Sequence, residues 1–448
     1  MRATEDFQVH QYLSTILMLS YILLISFIIY QVFDRPVSPN AFETFSQAIQ
    51  RVAMSSSMNA ITIGSLIKKD LTEAYFLPQK PSSYIEEYKF FNSTKYRIFD
   101  YPTSSATFRR LVSPCYHLAA AGDEIPVLME RGPELFLKQH WKLWLPAYPT
   151  VIVKSPEEGL HDDVPIVTRA ALEAIPEDKH FIHPDILYEL QLKSSLLDVK
   201  APTPRHMDEN HLTFPCLLKI DMSSGGRGNR LVKNQIELAA TLRNIREDCG
   251  WHGDVLYQEV IPRIKEVPSF QFYLHKSGEL YWLGTTIGGF EGFGWTGAVV
   301  DWDKHEEYEK LVYEEFTVPI KNYLQKHGYF GLVTFEVIIT DQGKYLVDLN
   351  PRIGSDTTHL LLAKYMALDF DLKHSAIFSY NKHELSPKEV IARANAINNK
   401  GKGLVVVLSA ADDEKGCESH FSIFANTPDE VRNLYYQFNN NEAMVRGL

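Results

Sequence analysis

The stretch TFEVIITDQGKYLVDLNPRIG, residues 334–354, decides the fold. Two runs rich in β-branched and aromatic residues flank Asp341-Gln342-Gly343, so the segment reads as a hairpin. Glu336 lies on the first strand. Asp348 and Asn350 lie two apart on the second, so their side chains share one face, and Glu336 faces them across the turn. Two carboxylates and an amide oxygen make a hard-oxygen patch of the kind Mg²⁺ takes, with phosphates completing the octahedron. Arg352 projects the same way if the extended backbone continues through Pro351, and its guanidinium can clamp an anionic phosphoryl group. An ordinary charged strand face is the alternative, but acids cluster unfavourably without a cation.

Working outward, LLKIDMSSGGRGNRLV (217–232) reads as strand, glycine-rich turn, strand. Glycines let backbone N–H groups approach phosphate oxygens, and Lys219 supplies a fixed positive charge beside Ser223, Gly225, Gly226 and Gly228. No Gly-Lys-Ser/Thr follows, so this is not a Walker loop. No helix opens on the last glycine, so it is not a dinucleotide fingerprint. A plain hairpin turn explains these glycines equally well.

Around these two motifs the pattern alternates. Residues 185–199 read as a helix stopped by Pro202 and Pro204, 235–248 as a helix, and 254–261 as a strand. Lys276-Ser277-Gly278 turns a second hairpin, and 304–328 is a long amphipathic helix ended by Gly328. The fold class expected is α+β, with antiparallel sheets rather than a doubly wound one. GGFEGFGWTG (288–297) suits a mobile lid or, equally, a tight structural turn. His359 is either a substrate contact or a core residue.

The paired motifs LLKIDMSSGGRGN and FEVIITDQGKYLVDLNPR resemble those of the ATP-grasp superfamily. The spacing of Glu336, Asp348, Asn350 and Arg352 is similar to that of biotin carboxylase and of the synthetase domains of carbamoyl phosphate synthetase. VLYQEVIPRIKE (255–266) resembles the family's adenine-binding hinge strand. The resemblance covers about residues 180–375 and implies an ATP-grasp fold. It implies that Lys193 and Lys219 meet the ATP phosphates and that Gln258 holds the hinge position where the family often has Glu. Glu259, Val260 and Ile261 then offer backbone groups to adenine. Glu266 is expected to bind ribose, with Lys265 as the competing register. Glu336, Asp348 and Asn350 are the implied metal ligands, Asp348 replacing a more usual Glu, and Arg352 the phosphate-side arginine. The cofactors implied are ATP and Mg²⁺, with Mn²⁺ a substitute. The implied reaction activates a carboxylate as an acyl phosphate, with release of ADP, and joins it to an amine. Lys219 and Arg352 are the catalytic candidates. Another ATP-grasp chemistry (carboxylase or thiol ligase) and a nucleotide-binding pseudoenzyme are the rivals.

The chain has 448 residues and a formal net charge of -11, which argues against a broad nucleic-acid surface. The expected partners are a small-molecule carboxylate and amine, with no nucleic acid. Four cysteines without metal or disulfide spacing read as reduced thiols. Asn92-Ser93-Thr94 is read as a chance sequon. No Asp, Glu, Lys or Arg falls between Asp6 and Asp34, and residues 12–30 are long enough to span a bilayer as a helix. That segment is expected to be a transmembrane anchor with a cytosolic catalytic body. The alternative, a buried core helix, leaves the protein cytoplasmic. The organisation expected is an anchor and linker over 1–45 and an N-terminal α/β region over 46–184. An ATP-grasp module over 185–380 and a C-terminal extension over 381–448 follow.

Overall fold

The computed structural model describes residues 60–78, 92, 95–99 and 111–439. Residues 12–30, the expected anchor, lie outside them. Among the described residues no helix is long and apolar enough to cross a membrane.

Among the described residues the mixed α/β fold rests on three sheets. Tyr75–Leu77 (β1), Val127–Leu128 (β2), Val153–Lys154 (β3) and Ile166–Thr168 (β4) form a parallel sheet ordered β3-β2-β1-β4. β1, β2 and most of β4 are apolar, as buried parallel strands are, while β3 is half-buried. Tyr75, Phe76, Leu77, Val127 and Ile166 are all buried.

His206–Met207 (β5), Cys216–Ile220 (β6), Asn229–Val232 (β7) and Val255–Glu259 (β8) form an antiparallel sheet ordered β5-β8-β6-β7. The helix Gln235–Arg243 follows, started by Asn234, whose side chain accepts from the amides of Ile236 and Glu237. Leu238 and Ile245 pack with Leu218, Ile220 and Val232 in this sheet's core.

The third sheet has eight antiparallel strands. They are Pro268–Leu274 (β9), Leu280–Glu291 (β10), Gly294–Asp301 (β11), Gly331–Ile339 (β12), Lys344–Asn350 (β13), His374–His383 (β14), Leu404–Asp413 (β15) and Gly416–Ala425 (β16). Their order is β13-β12-β9-β10-β11-β14-β16-β15. Strands from 374 onward therefore run on in the same sheet as the 334–354 hairpin. Two cores flank it. Val312, Phe316, Ile320 and Leu324 pack on Phe270, Phe272 and Phe335. The helix Thr357–Phe370 joins the larger core through Leu360, Leu361 and Tyr365.

Two expected helices are interrupted. The segment 185–199 divides into Pro184–Glu189 and a 3₁₀ turn, Lys193–Leu197. Tertiary partners pull it apart. Gln191 Nε2 donates to the Arg169 carbonyl (3.2 Å), Lys193 N to the Asp221 carbonyl (2.8 Å) and Ser194 N to Asp221 Oδ1 (2.7 Å). The segment 304–328 divides into His305–Val312 and Val318–Lys326, joined by a π turn at Tyr313–Thr317. Pro319 has no N–H and its ring crowds the preceding turn, which the wider π turn accommodates. Gly328 ends the helix with φ +72°.

Asn92 is buried. Its amide donates to the carbonyls of Tyr96 (2.7 Å) and Ala171 (2.9 Å). Both amide hydrogens are thus committed to the fold, which leaves none for glycan attachment. All four cysteines are free thiols.

Candidate functional site

The β12–β13 pair sets Glu336 directly opposite Asp348, and Thr334 opposite Asn350. Directly opposed side chains share a face and nearly touch. Burial and the neighbouring Asp348 charge push the Glu336 carboxyl up. Burial also opposes ionisation of Asp348, but Lys193, Lys219 and Asn350 outweigh it and hold its carboxyl down. Asp348 Oδ1 pairs with Lys193 Nζ, and Asp348 Oδ2 accepts from Asn350 Nδ2 (3.0 Å). Arg352 Nη2 donates to Asn350 Oδ1 (2.9 Å). A continuous polar chain thus runs Lys193–Asp348–Asn350–Arg352. The Glu336 carboxylate accepts no hydrogen bond among the described residues.

The loop bearing Arg352 is fixed from behind. Buried Asp356 accepts from Thr286 Oγ1 (2.5 Å) and Gln271 Nε2 (2.7 Å). Thr357 Oγ1 donates to Gln271 Oε1 (2.7 Å) and accepts from Gly354 N (2.9 Å). Every polar group of this buried network has a partner, which holds the turn after β13 rigid.

Lys219 sits on β6. Its ammonium is buried and donates to the Val347 carbonyl (3.0 Å). Burial pushes it down to about 8, with the Asp348 carboxylate partly offsetting that. The glycine loop between β6 and β7 turns through positive φ at Gly225 (+62°) and Gly226 (+72°). A Cβ on Gly226 would lie 1.9 Å from the Phe293 carbonyl oxygen, so only glycine lets this loop meet the β10–β11 turn. A Cβ on Gly228 would lie 2.3 Å from Ser223 Oγ. The stretch 288–297 is thus the end of a hairpin, its turn seated against the glycine loop.

At the hinge, Gln258 Nε2 meets His206 Nε2 at 2.7 Å, while its buried Oε1 has no partner. Glu259 Oε1 accepts from Arg205 N (2.9 Å), so that carboxylate is spent on β5. Val260 and Ile261 face the cavity. Glu266 does not. Its carboxylate takes the Tyr308 hydroxyl (2.7 Å), and Lys265 pairs with Asp341. Neither Lys265 nor Glu266 is among the residues that line the cavity. His359 is a core residue, its ring nitrogens bonded to Ser422 Oγ (2.9 Å) and Ser375 Oγ (3.1 Å).

One cavity of about 970 Å³ collects these groups. Lys193, Lys219, Ser223, Gly225, Gly226, Gln258, Glu259, Val260 and Ile261 line it together with Glu336, Asp348, Asn350 and Arg352. Gly228 and Glu266 do not. That volume lies at the upper end of small-molecule sites and suits two substrates together.

Residues that pattern reading did not single out complete the wall. Arg169 follows β4, Tyr116 precedes the 3₁₀ turn Leu118–Ala120, and Ser379, Tyr380 and Asn381 come from β14. The β14–β16 register shifts between Phe378 and Asn381, and Tyr380 adopts φ +61°. Such a bulge re-aims side chains. For Arg169 a signal was present, since ligands of open parallel sheets gather beyond the carboxyl ends of strands.

The donor set fits a hard divalent cation. Glu336 and Asp348 offer carboxylate oxygens and Asn350 an amide oxygen. The unpartnered Gln258 Oε1 fits an amine donor such as that of adenine.

No protein-family model matches the chain, and no curated protein matches it in sequence. Among solved structures it is similar to a carboxyaminoimidazole ribonucleotide synthetase from Thermus thermophilus. Identity there is 12% and the TM-score 0.46, over 72% of this chain and 93% of that one. It is similar to the Staphylococcus aureus carboxyaminoimidazole synthetase complexed with ADP (14%, TM-score 0.44, 70% and 91% covered). It is also similar to a biotin carboxylase from Campylobacter jejuni (14%, TM-score 0.40, 59% and 69% covered).

Proposed function

We propose that this chain is an ATP-grasp enzyme that uses Mg-ATP to activate a carboxylate as an acyl phosphate and joins it to an amine. The observation that carries the reading is the opposed Glu336–Asp348 pair, set in one cavity with Lys193, Lys219 and Arg352. Two buried acids repel unless cations intervene, and here two lysines and an arginine line the same cavity.

In this reading the hinge residues Gln258 to Ile261 take the adenine and the glycine loop covers the phosphates. Glu336, Asp348 and Asn350 would hold Mg²⁺, or Mn²⁺ in its place. When bound, the ion supplies charge neutralisation across the phosphates. Lys193 exchanges its Asp348 partner for phosphate oxygens, and Lys219 its carbonyl partner. The substrate carboxylate oxygen attacks the γ-phosphorus, the bond to the β–γ bridging oxygen breaks, and ADP leaves. Arg352 offsets charge on the transferring group. The amine then attacks the acyl carbon, and inorganic phosphate departs. The protein positions and neutralises, and no side-chain nucleophile takes part.

The test is ADP release with Mg-ATP against a panel of carboxylic acids, with amines supplied in parallel. Acid-dependent ADP release supports ligase chemistry. ATP binding without turnover on any acid points to the nucleotide-binding pseudoenzyme.

A further inference from the structure

We propose that the end of the cavity beyond Arg352 holds a carboxylic acid with an aromatic side group, its carboxylate lying between Arg169 and Arg352. This rests on the reading above and names the class of acid.

The two guanidiniums are the first ground. Arg169 lines the cavity and makes no ion pair or side-chain hydrogen bond among the described residues. Its backbone is held, since its carbonyl accepts from Gln191 Nε2 (3.2 Å). Arg352 donates only to neutral oxygens, Asn350 Oδ1 (2.9 Å) and the Ile353 carbonyl (3.2 Å). Thr168, the residue before Arg169, lines a second, smaller pocket together with Arg352, so the two arginines come from neighbouring walls. Two cations facing one cavity repel unless an anion comes between them. A carboxylate offers each a charge-assisted hydrogen bond. The ATP phosphates have Lys193 and Lys219, so the anion for Arg169 is a different one.

The wall beyond the arginines is the second ground. Tyr116 lines the cavity with Arg352, and its ring stacks on His420 with centroids 4.6 Å apart. Burial pushes His420 down to about 3, so that ring is neutral. Phe378 and Tyr435 form another pair at 4.6 Å. Among the described residues, those before β5, the strands β14 and β16 and the helix Pro428–Phe438 contribute no acid to the cavity, and of lysines only Lys193. Besides Lys193, Arg169 is the one charged residue they bring, among the described residues. Among the described residues of this wall an ammonium or a second carboxylate on the substrate finds no counter-ion, whereas an aromatic ring finds rings. One polar group stands out. Asn381 Nδ2, at the β14 bulge, is buried without a partner. It is placed to donate to a hydroxyl or carbonyl oxygen carried by the substrate's side group.

The experiment measures ADP release and hydroxamate formation by the full chain, with Mg-ATP and hydroxylamine. The acids are phenylacetate, 4-hydroxyphenylacetate, acetate and succinate. The aromatic acids should show KM values about tenfold or more below those of acetate and succinate. Arg169→Gln should raise the aromatic KM about tenfold or more while kcat at saturation changes only a few-fold, since one charged contact is worth about a decade. Arg169→Lys should recover part of that loss. Equal KM values across the panel, no stimulation by either aromatic acid, or an unchanged KM in Arg169→Gln overturns this inference. Mg-ATP binding by the unaltered chain is measured alongside. Its absence overturns the underlying reading, and its presence with any of those failures overturns this inference alone.

Discussion

Replacing Lys219 with Met removes one positive charge and keeps most of the side-chain volume. Lys219 is buried, and burial takes its ammonium from the usual 10.5 to about 8. At ~1.4 kcal/mol per pH decade that is roughly 3 kcal/mol against the charged form in the folded chain without nucleotide. The folded state therefore binds its proton less readily than the unfolded chain. The penalty is full below about pH 8 and is relieved as pH rises from about 8 toward 10.5. Lys219→Met removes it, but leaves the Val347 carbonyl without its donor, which costs about 1–3 kcal/mol. The two nearly cancel, so the melting temperature without ligand should move by only a few degrees. Nucleotide affinity should not be spared. A charge-assisted bond to phosphate is worth about 1.5–3 kcal/mol, so the Kd for Mg-ATP should rise roughly 10- to 150-fold. In the unaltered chain, ATP affinity should fall as pH passes above about 8, where the ammonium deprotonates. Calorimetric titration with Mg-ATP at pH 7 and pH 9, beside thermal melts, measures all of this. An unchanged Kd, or a large loss of melting temperature with Kd intact, would show Lys219 to be a structural lysine.

Other consequences follow from single contacts. Gly226→Ala places a methyl group against the Phe293 carbonyl. It should cost about 1–3 kcal/mol of stability and weaken ATP binding by displacing the loop, whereas wild-type melting and binding would leave the contact without consequence. His140 bridges Asn395 Oδ1 (2.7 Å) and the Val407 amide (3.0 Å), an arrangement that requires one donor and one acceptor nitrogen. Burial pushes it down to about 4. The unfolded chain therefore takes up the proton first as pH falls below about 6.5, and His140 alone should cost about 2 kcal/mol of stability between pH 6.5 and 5. Unfolding curves for the chain and for His140→Gln check this, and an identical pH slope in both contradicts it. If residues 12–30 anchor the chain, full-length protein should sediment with membranes, and a chain lacking residues 1–33 should be monodisperse and bind ATP. Aggregation of that shorter chain would favour a core helix instead.

The hairpin was legible because everything that makes it is local. Alternation puts Asp348 and Asn350 on one face, and Asp341-Gln342-Gly343 turns the chain back. The exact register was not: the turn pairs Val337 with Leu346, and only a shift between Glu336 and Val337 brings Glu336 opposite Asp348. Arg169 was not legible as a partner of Arg352. It closes an unremarkable strand of a different sheet, and nothing local says which cavity it meets. The break at Lys193 was hidden likewise, since the groups that pull the helix apart belong to Asp221 and Arg169. Lys265 and Glu266 show the limit at close range. A single bridge between Glu266 and Ile339 sets the side-chain directions, and the strand pattern carries no trace of it. The same holds for the β14 bulge, whose extra residue and left-handed Tyr380 arise from pairing with β16.

The central claim is that Glu336, Asp348 and Asn350 hold the cation through which ATP is used. The most direct test is ADP release by Asp348→Asn, across a Mg²⁺ titration, with an acid and an amine that the unaltered chain turns over. The substitution keeps the shape of the side chain and removes the charge that pairs with Lys193. The account predicts a folded protein with kcat reduced about a hundredfold or more, a weaker apparent Mg²⁺ affinity, and partial recovery with Asp348→Glu. Wild-type ADP release by Asp348→Asn, with an unshifted Mg²⁺ dependence, would contradict it.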